Sequence, residues 1–253
     1  MLPYFDSSLD SFLPEPKDSA VWTPEYLGNN DDWVTSGFAS NWETYSKDCA
    51  GVYDTLYRSA MPYSSDLLFD DYKINSTVLR ATSFKDLVSP YNLSDFEDYH
   101  GYVHDFVGGL MRYITCSPND PFFFFHHSFI DYLFEIFRTK SQTTPRETEY
   151  PDDDLIPAYH RANETMLPFK EYTNRRGLSD DYTSLYYSYA PSPRQCYCDD
   201  DCWSKVLWCD TVDGRCKAKV REGGYCAQLP DRACYVPKCN GSTKNYKGYC
   251  LCV

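Results

Sequence analysis

Histidine is scarce in this chain: there are five in 253 residues, and four of them fall between positions 100 and 127. The first two are spaced as His100-Gly101-Tyr102-Val103-His104, and the next two are adjacent, His126-His127. Residues four apart share one face of an α-helix, so His100 and His104 can aim at a single point. Neutral imidazole is a good ligand for copper, zinc, iron or nickel. A second helix is legible downstream. Asp120 suits an N-cap and Pro121 the first helical position. The run Phe122 to Phe125 reads as core, and Asp131 lies one turn beyond His127 on the same face. Gly108-Gly109 ends the first helix. The expected unit is helix, glycine break, loop and capped helix, with histidines from both helices converging on a metal.

The remaining composition narrows the setting. A formal net charge of -13 argues against nucleic acid as a partner. No apolar stretch is long enough for a transmembrane helix, so no membrane partner is expected. Of the 12 cysteines, ten lie between Cys196 and Cys252. That density in a short segment points to disulfides rather than zinc, because the segment lacks histidine and clean Cys-x-x-Cys pairs. Sequons at Asn75, Asn92, Asn163 and Asn240 agree with a secreted, glycosylated protein. Ala190-Pro191-Ser192-Pro193 reads as a linker. The expected domains are therefore residues 1–190 and a cysteine-rich disulfide module over 191–253.

Taken together, Phe96-Glu97-Asp98-Tyr99-His100-Gly101-Tyr102-Val103-His104, Gly108-Gly109-Leu110-Met111, Asn119-Asp120-Pro121 and His126-His127-Ser128-Phe129-Ile130-Asp131 resemble the second copper-binding half (CuB) of the tyrosinase, catechol oxidase and molluscan haemocyanin family, the type 3 copper proteins. Leu2-Pro3-Tyr4-Phe5-Asp6 is similar to the segment that follows the first copper site (CuA) in that family. Asp18-Ser19-Ala20-Val21-Trp22, Gly28-Asn29 and Gly37-Phe38-Ala39-Ser40-Asn41-Trp42 continue in family order. Leu185-Tyr186-Tyr187-Ser188-Tyr189 looks like the tyrosine motif that closes the central domain. The cysteine-rich tail more loosely resembles those of secreted molluscan tyrosinase-like proteins, including shell-forming ones.

The resemblance implies a mainly α fold: a helical-bundle copper domain, its CuB half with much loop, followed by the small disulfide module. It implies His100, His104 and His127 as copper ligands, with His126 a neighbour outside the ligand set. The implied activity is oxidation of phenols or o-diphenols to o-quinones with dioxygen, on small phenolic substrates or protein tyrosyl groups. Such quinones cross-link extracellular matrix proteins or feed pigment. The alternatives are a non-catalytic secreted shell or matrix protein that keeps the fold, and an oxygen carrier. Gly101 stands where many tyrosinases carry Asn, which favours diphenol oxidation over monophenol hydroxylation. Asp131 and, more weakly, Glu97 are candidates for orienting an imidazole. His160 is expected to be structural, and Cys49 is a candidate partner for Cys116. A dicopper site takes six histidines, and this chain has five. The expectation is a longer protein whose upstream part carries CuA and a secretion signal. The 253 residues alone are expected to bind at most one copper and to leave diphenols unoxidised.

Overall fold

The computed structural model describes residues 1–45, 54–62, 64–88, 96–151, 157–236, 239–244 and 250–252. Cys49, the Asn92 sequon and the three aspartates 152–154 lie outside these residues. In chain order the elements that matter are α1 (Ser7–Asp10), β1 (Asp31–Trp33), β2 (Tyr57–Ser59), α2 (Asp71–Ile74), α3 (Phe84–Leu87), α4 (Phe96–Val107), α5 (Phe122–Ile136), β3 (Leu207–Asp210), β4 (Arg215–Ala218), β5 (Cys239–Lys244) and β6 (Cys250–Cys252). Helices and helical turns dominate. Among the described residues the strands form three separate antiparallel pairs, β1 with β2, β3 with β4 and β5 with β6. Among the described residues no helix is long and apolar enough to cross a membrane.

The two long helices form where the sequence reading puts them, and each has a local cause. Glu97 and Asp98 sit in the first turn of α4, where carboxylates favour the positive end of the helix dipole. Its stop is Gly108, whose φ is +66° and whose N–H donates to the His104 carbonyl. The apolar positions Phe96, Val103 and Val107 of α4 are buried, and they fall at helical spacing. At the start of α5 the Asp120 carboxylate accepts from the Phe122 N–H at 2.9 Å, with Pro121 between them. Phe122, His126, Phe129, Leu133 and Phe137 then form one fully buried stripe. The Phe122 to Phe125 run is not all core. Each residue of a helix turns about 100° from the last, so Phe122 is buried while Phe124 is 60% exposed.

The chain forms two compact units: Met1–Tyr4, Asp71–Gly101 and His127–Ala190 make the first, and Phe5–Asp70, Tyr102–His126 and Pro191–Val253 make the second. In the first, Tyr4 stacks on Tyr132 and Phe129 and donates to the Ala190 carbonyl. Buried Arg138 donates to the Leu178 carbonyl and pairs with Glu135 and Asp180. Phe84 packs edge-on against Phe134.

In the second unit, Trp22 packs on Phe5, Phe106 and Phe122. The cysteine-rich segment builds its core with residues from the start of the chain. Leu9 and Leu13 are buried together with Cys196, Cys202, Cys209, Cys216, Val220 and Cys234. Disulfides join Cys196 to Cys209, Cys202 to Cys216 and Cys234 to Cys252, while Cys116 and Cys226 are also disulfide-bonded. The backbone of residues 18–20 hydrogen-bonds to Lys219 and Arg221, and Asp18 pairs with the Arg221 guanidinium. Leu9 and Leu13 supply apolar area that a short segment rich in cysteine lacks.

Candidate metal centre

The glycine break between the helices is set by close packing. Gly108 and Gly109 both have positive φ, and a Cβ on either would collide with the Ser59 or Tyr57 carbonyl of β2. With α4 ended there, the chain passes through Cys116–Asn119 and re-enters a helix at Asp120. His100 and His104 lie one turn apart on α4, on the side of the buried apolar stripe, and both are partly buried. His126 and His127 lie in the second turn of α5.

The imidazoles converge. The Nε2 atoms of His100 and His127 are 3.3 Å apart, with the rings nearly perpendicular. Two imidazole nitrogens on one tetrahedral ion at ~2.0–2.1 Å would be separated by ~3.3 Å. His104 packs edge-on against His126, ring centroids 5.2 Å apart. The ligand-capable atoms of His100, His104, His126 and His127 form one group, all within 4.8 Å of one another. The other such groups among the described residues are cysteines already committed to disulfides.

The surroundings orient the rings. His104 Nδ1 lies 2.7 Å from the Met111 carbonyl, which places the proton on Nδ1 and leaves the Nε2 lone pair for a metal. Burial pushes the His104 pKa below its ordinary value and so favours the neutral, ligating form. His100 Nδ1 approaches the Glu97 carbonyl at 3.3 Å. The Glu97 side chain itself is exposed. His126 and His127 differ because neighbouring helical positions face different ways. His126 lies on the core stripe, fully buried and stacked on Phe122, whereas His127 sits on the flank, only partly buried.

Asp131, a candidate for orienting an imidazole, is engaged by the tyrosine motif. Its carboxylate accepts from the Tyr187 hydroxyl at 2.8 Å and the Tyr189 hydroxyl at 2.6 Å. Burial, then the Asp131 carboxylate, raise both phenol pKa values. The tyrosine motif is thus tied to α5 one turn after His127. His160 is exposed, and its carbonyl accepts from Tyr150. The residue that the sequence reading missed is Arg58. Its guanidinium holds Asp120 through two hydrogen bonds, 2.7 and 2.8 Å, with neither side chain exposed. No local pattern marks an ion pair 62 positions apart.

The model of the common central domain of tyrosinase matches residues 1–140. The tyrosinase-like protein tyr-3 of Caenorhabditis elegans is 36% identical over 255 residues, covering 94% of this chain and 36% of its own length. Tyrosinase-like protein 1 of Margaritifera margaritifera is 33% identical over 83% of this chain and 42% of its own length. A tyrosinase-like protein of Pinctada maxima is 31% identical over 71% of this chain and 42% of its own. The chain therefore spans less than half the length of these relatives. With this match over more than half its residues, and with histidines gathered from two helices, the chain belongs to the tyrosinase family of type 3 copper proteins.

Proposed function

We propose that His100, His104 and His127 hold one copper ion, and that the whole protein is a secreted oxidoreductase converting phenols or o-diphenols to o-quinones. The observation that carries the ligand choice is the 3.3 Å approach of the His100 and His127 Nε2 atoms, with His104 fixed through Nδ1. The donor set is three imidazoles on two helices, a fit for copper by ligand chemistry. His126 is left as a packing residue because its ring is spent on Phe122 and the core stripe. Bound copper would supply the redox chemistry that couples dioxygen reduction to loss of two electrons and two protons from an o-diphenol.

The protein's own residues would fix geometry. The Met111 and Glu97 carbonyls hold the two α4 imidazoles, and the Tyr187 and Tyr189 hydroxyls anchor α5 through Asp131. Gly101 leaves open space where a side chain would stand, which supports diphenol oxidation over monophenol hydroxylation. Substrates would be small phenols or the tyrosyl groups of extracellular matrix proteins, with matrix cross-linking or pigment as the outcome. The disulfides support an oxidising, extracellular setting, in which the accessible sequons would be glycosylated. The five histidines of this chain cannot furnish a second set of three, so a partner copper site would come from elsewhere in the protein.

Titration of the 253-residue chain with copper, followed by electron paramagnetic resonance, tests the ligand set. One copper per chain with nitrogen hyperfine structure is expected. Its loss is expected in His100→Ala, His104→Ala and His127→Ala but not in His126→Ala. Binding that survives His127→Ala would overturn the assignment. In the natural protein, quinone formation from an o-diphenol is the expected readout of activity. Reversible dioxygen binding without turnover would make it an oxygen carrier, and copper-free protein without turnover a matrix protein.

A further inference from the structure

We propose that Arg58 is a positioning residue of the metal centre, acting through Asp120 to set where α5 begins and hence where its imidazoles stand. This rests on the copper reading above. The Asp120 carboxylate is shared between two tasks: it caps α5 through the Phe122 N–H and it receives the Arg58 guanidinium through two bonds. The planar fork of arginine fixes the direction of a carboxylate as a lysine ammonium does not. Arg58 is itself fixed on its other sides. It donates to the Leu27 and Asn29 carbonyls at 2.7 and 3.2 Å, and it lies over the Trp22 ring, 5.4 Å from the centroid.

The same strand also indexes the other histidine helix. On either side of Arg58, Tyr57 and Ser59 are the residues against which Gly108 and Gly109 press where α4 stops. Just past β2, the Met61 N–H donates to the Phe106 carbonyl of α4. Trp22, under the guanidinium, packs on Phe106 of α4 and Phe122 of α5. The end of α4 and the start of α5 are thus registered on one short strand, with Arg58 at its centre. His104 lies one turn before the first of these contacts, and His126 one turn after the second.

A buried ion pair contributes little net stability compared with apolar packing, but it imposes direction. The test therefore needs readouts beyond stability. In the full chain, Arg58→Lys keeps the charge and loses the fork, and Asp120→Asn keeps the cap and loses the charge. Three measurements apply: amide exchange along α5, imidazole nitrogen chemical shifts without metal, and copper affinity. For Arg58→Lys we expect a folded chain with faster exchange confined to residues 122–127, shifted His126 and His127 imidazole signals, and copper affinity lower on the order of 10- to 100-fold. Asp120→Asn is expected to weaken copper binding in the same direction while the Phe122 amide stays protected.

Unchanged imidazole signals in a folded Arg58→Lys chain would overturn the proposal, as would faster exchange spread evenly over the chain. If the unsubstituted chain binds no copper, the copper reading fails by itself. The exchange and imidazole shifts then still decide whether Arg58 positions α5.

Discussion

Residues 122–137 put five side chains along one helical stripe with no measurable exposure, and no disulfide lies among them. Among the described residues of 196–252, three disulfides join cysteines within the segment, and the apolar cluster around them is completed by Leu9 and Leu13 from the start of the chain. The first region is fixed by side-chain volume and hydrogen bonds, and the second by covalent closure of short loops. The difference follows from how much apolar area each can bury. It also suits their tasks. The proposed metal centre would need rings held at defined angles, which dense packing, carbonyl acceptors and a bidentate ion pair provide. A loop-rich segment needs only its unfolded ensemble restricted, which disulfides do.

The sharpest way to break the packed region is Phe122→Ala. It empties space beside Phe5, Trp22 and His126, and a loss of ~3–5 kcal/mol is expected by denaturant unfolding. The corresponding cut in the covalent region is the double change Cys202→Ala and Cys216→Ala, which opens a loop of sequence separation 14. A loss of ~2–5 kcal/mol is expected, with amide protection falling at β3 and β4 while α5 keeps its own. Equal loss of protection in both places would erase the distinction between the regions.

A pH experiment probes the segment that completes the covalent core. Asp10 is buried in α1, and burial pushes its pKa up to about 7 from an ordinary 3.8. Below 3.8 folded and unfolded chains both hold the proton, so the stability is fully present. As pH rises toward about 7 the unfolded chain ionises first, and stability is lost through that window. Asp10→Asn is expected to flatten the loss, read as unfolding midpoints at several pH values. An unchanged pH slope would show that other groups set it.

The smallest expected effect concerns the anchor of α5. Asp131→Asn keeps an acceptor but removes the charge shared by Tyr187 and Tyr189, for a loss of about 1–3 kcal/mol. The two phenols should then ionise at lower pH in an ultraviolet titration, because a raising influence on both has gone. If both titrate as before, the hydroxyls are held by burial alone.

The sequence reading and the structure agree where cause is local. His-x-x-x-His places two rings on one face because the helix period is fixed. Asp120-Pro121 starts α5, Gly108-Gly109 stops α4, and dense cysteines become disulfides. The structure departs from that reading where cause is distant. Asp131, one turn from His127, receives hydrogen bonds from two tyrosines 56 and 58 positions later, which its neighbours in sequence do not announce. The aromatic run after Pro121 divides into buried and exposed members according to what surrounds the helix.

By itself, then, the sequence determined the two histidine helices, their boundaries and the family, because capping, periodicity and ligand spacing act within a few residues. Only the tertiary structure decided that Arg58 holds Asp120 and that Leu9 and Leu13 complete the cysteine core. It alone set the His127 ring against that of His100. These pairings join residues far apart in the chain. Their free energy comes from burial and charge pairing that exist only once the chain has folded, so no local pattern encodes them.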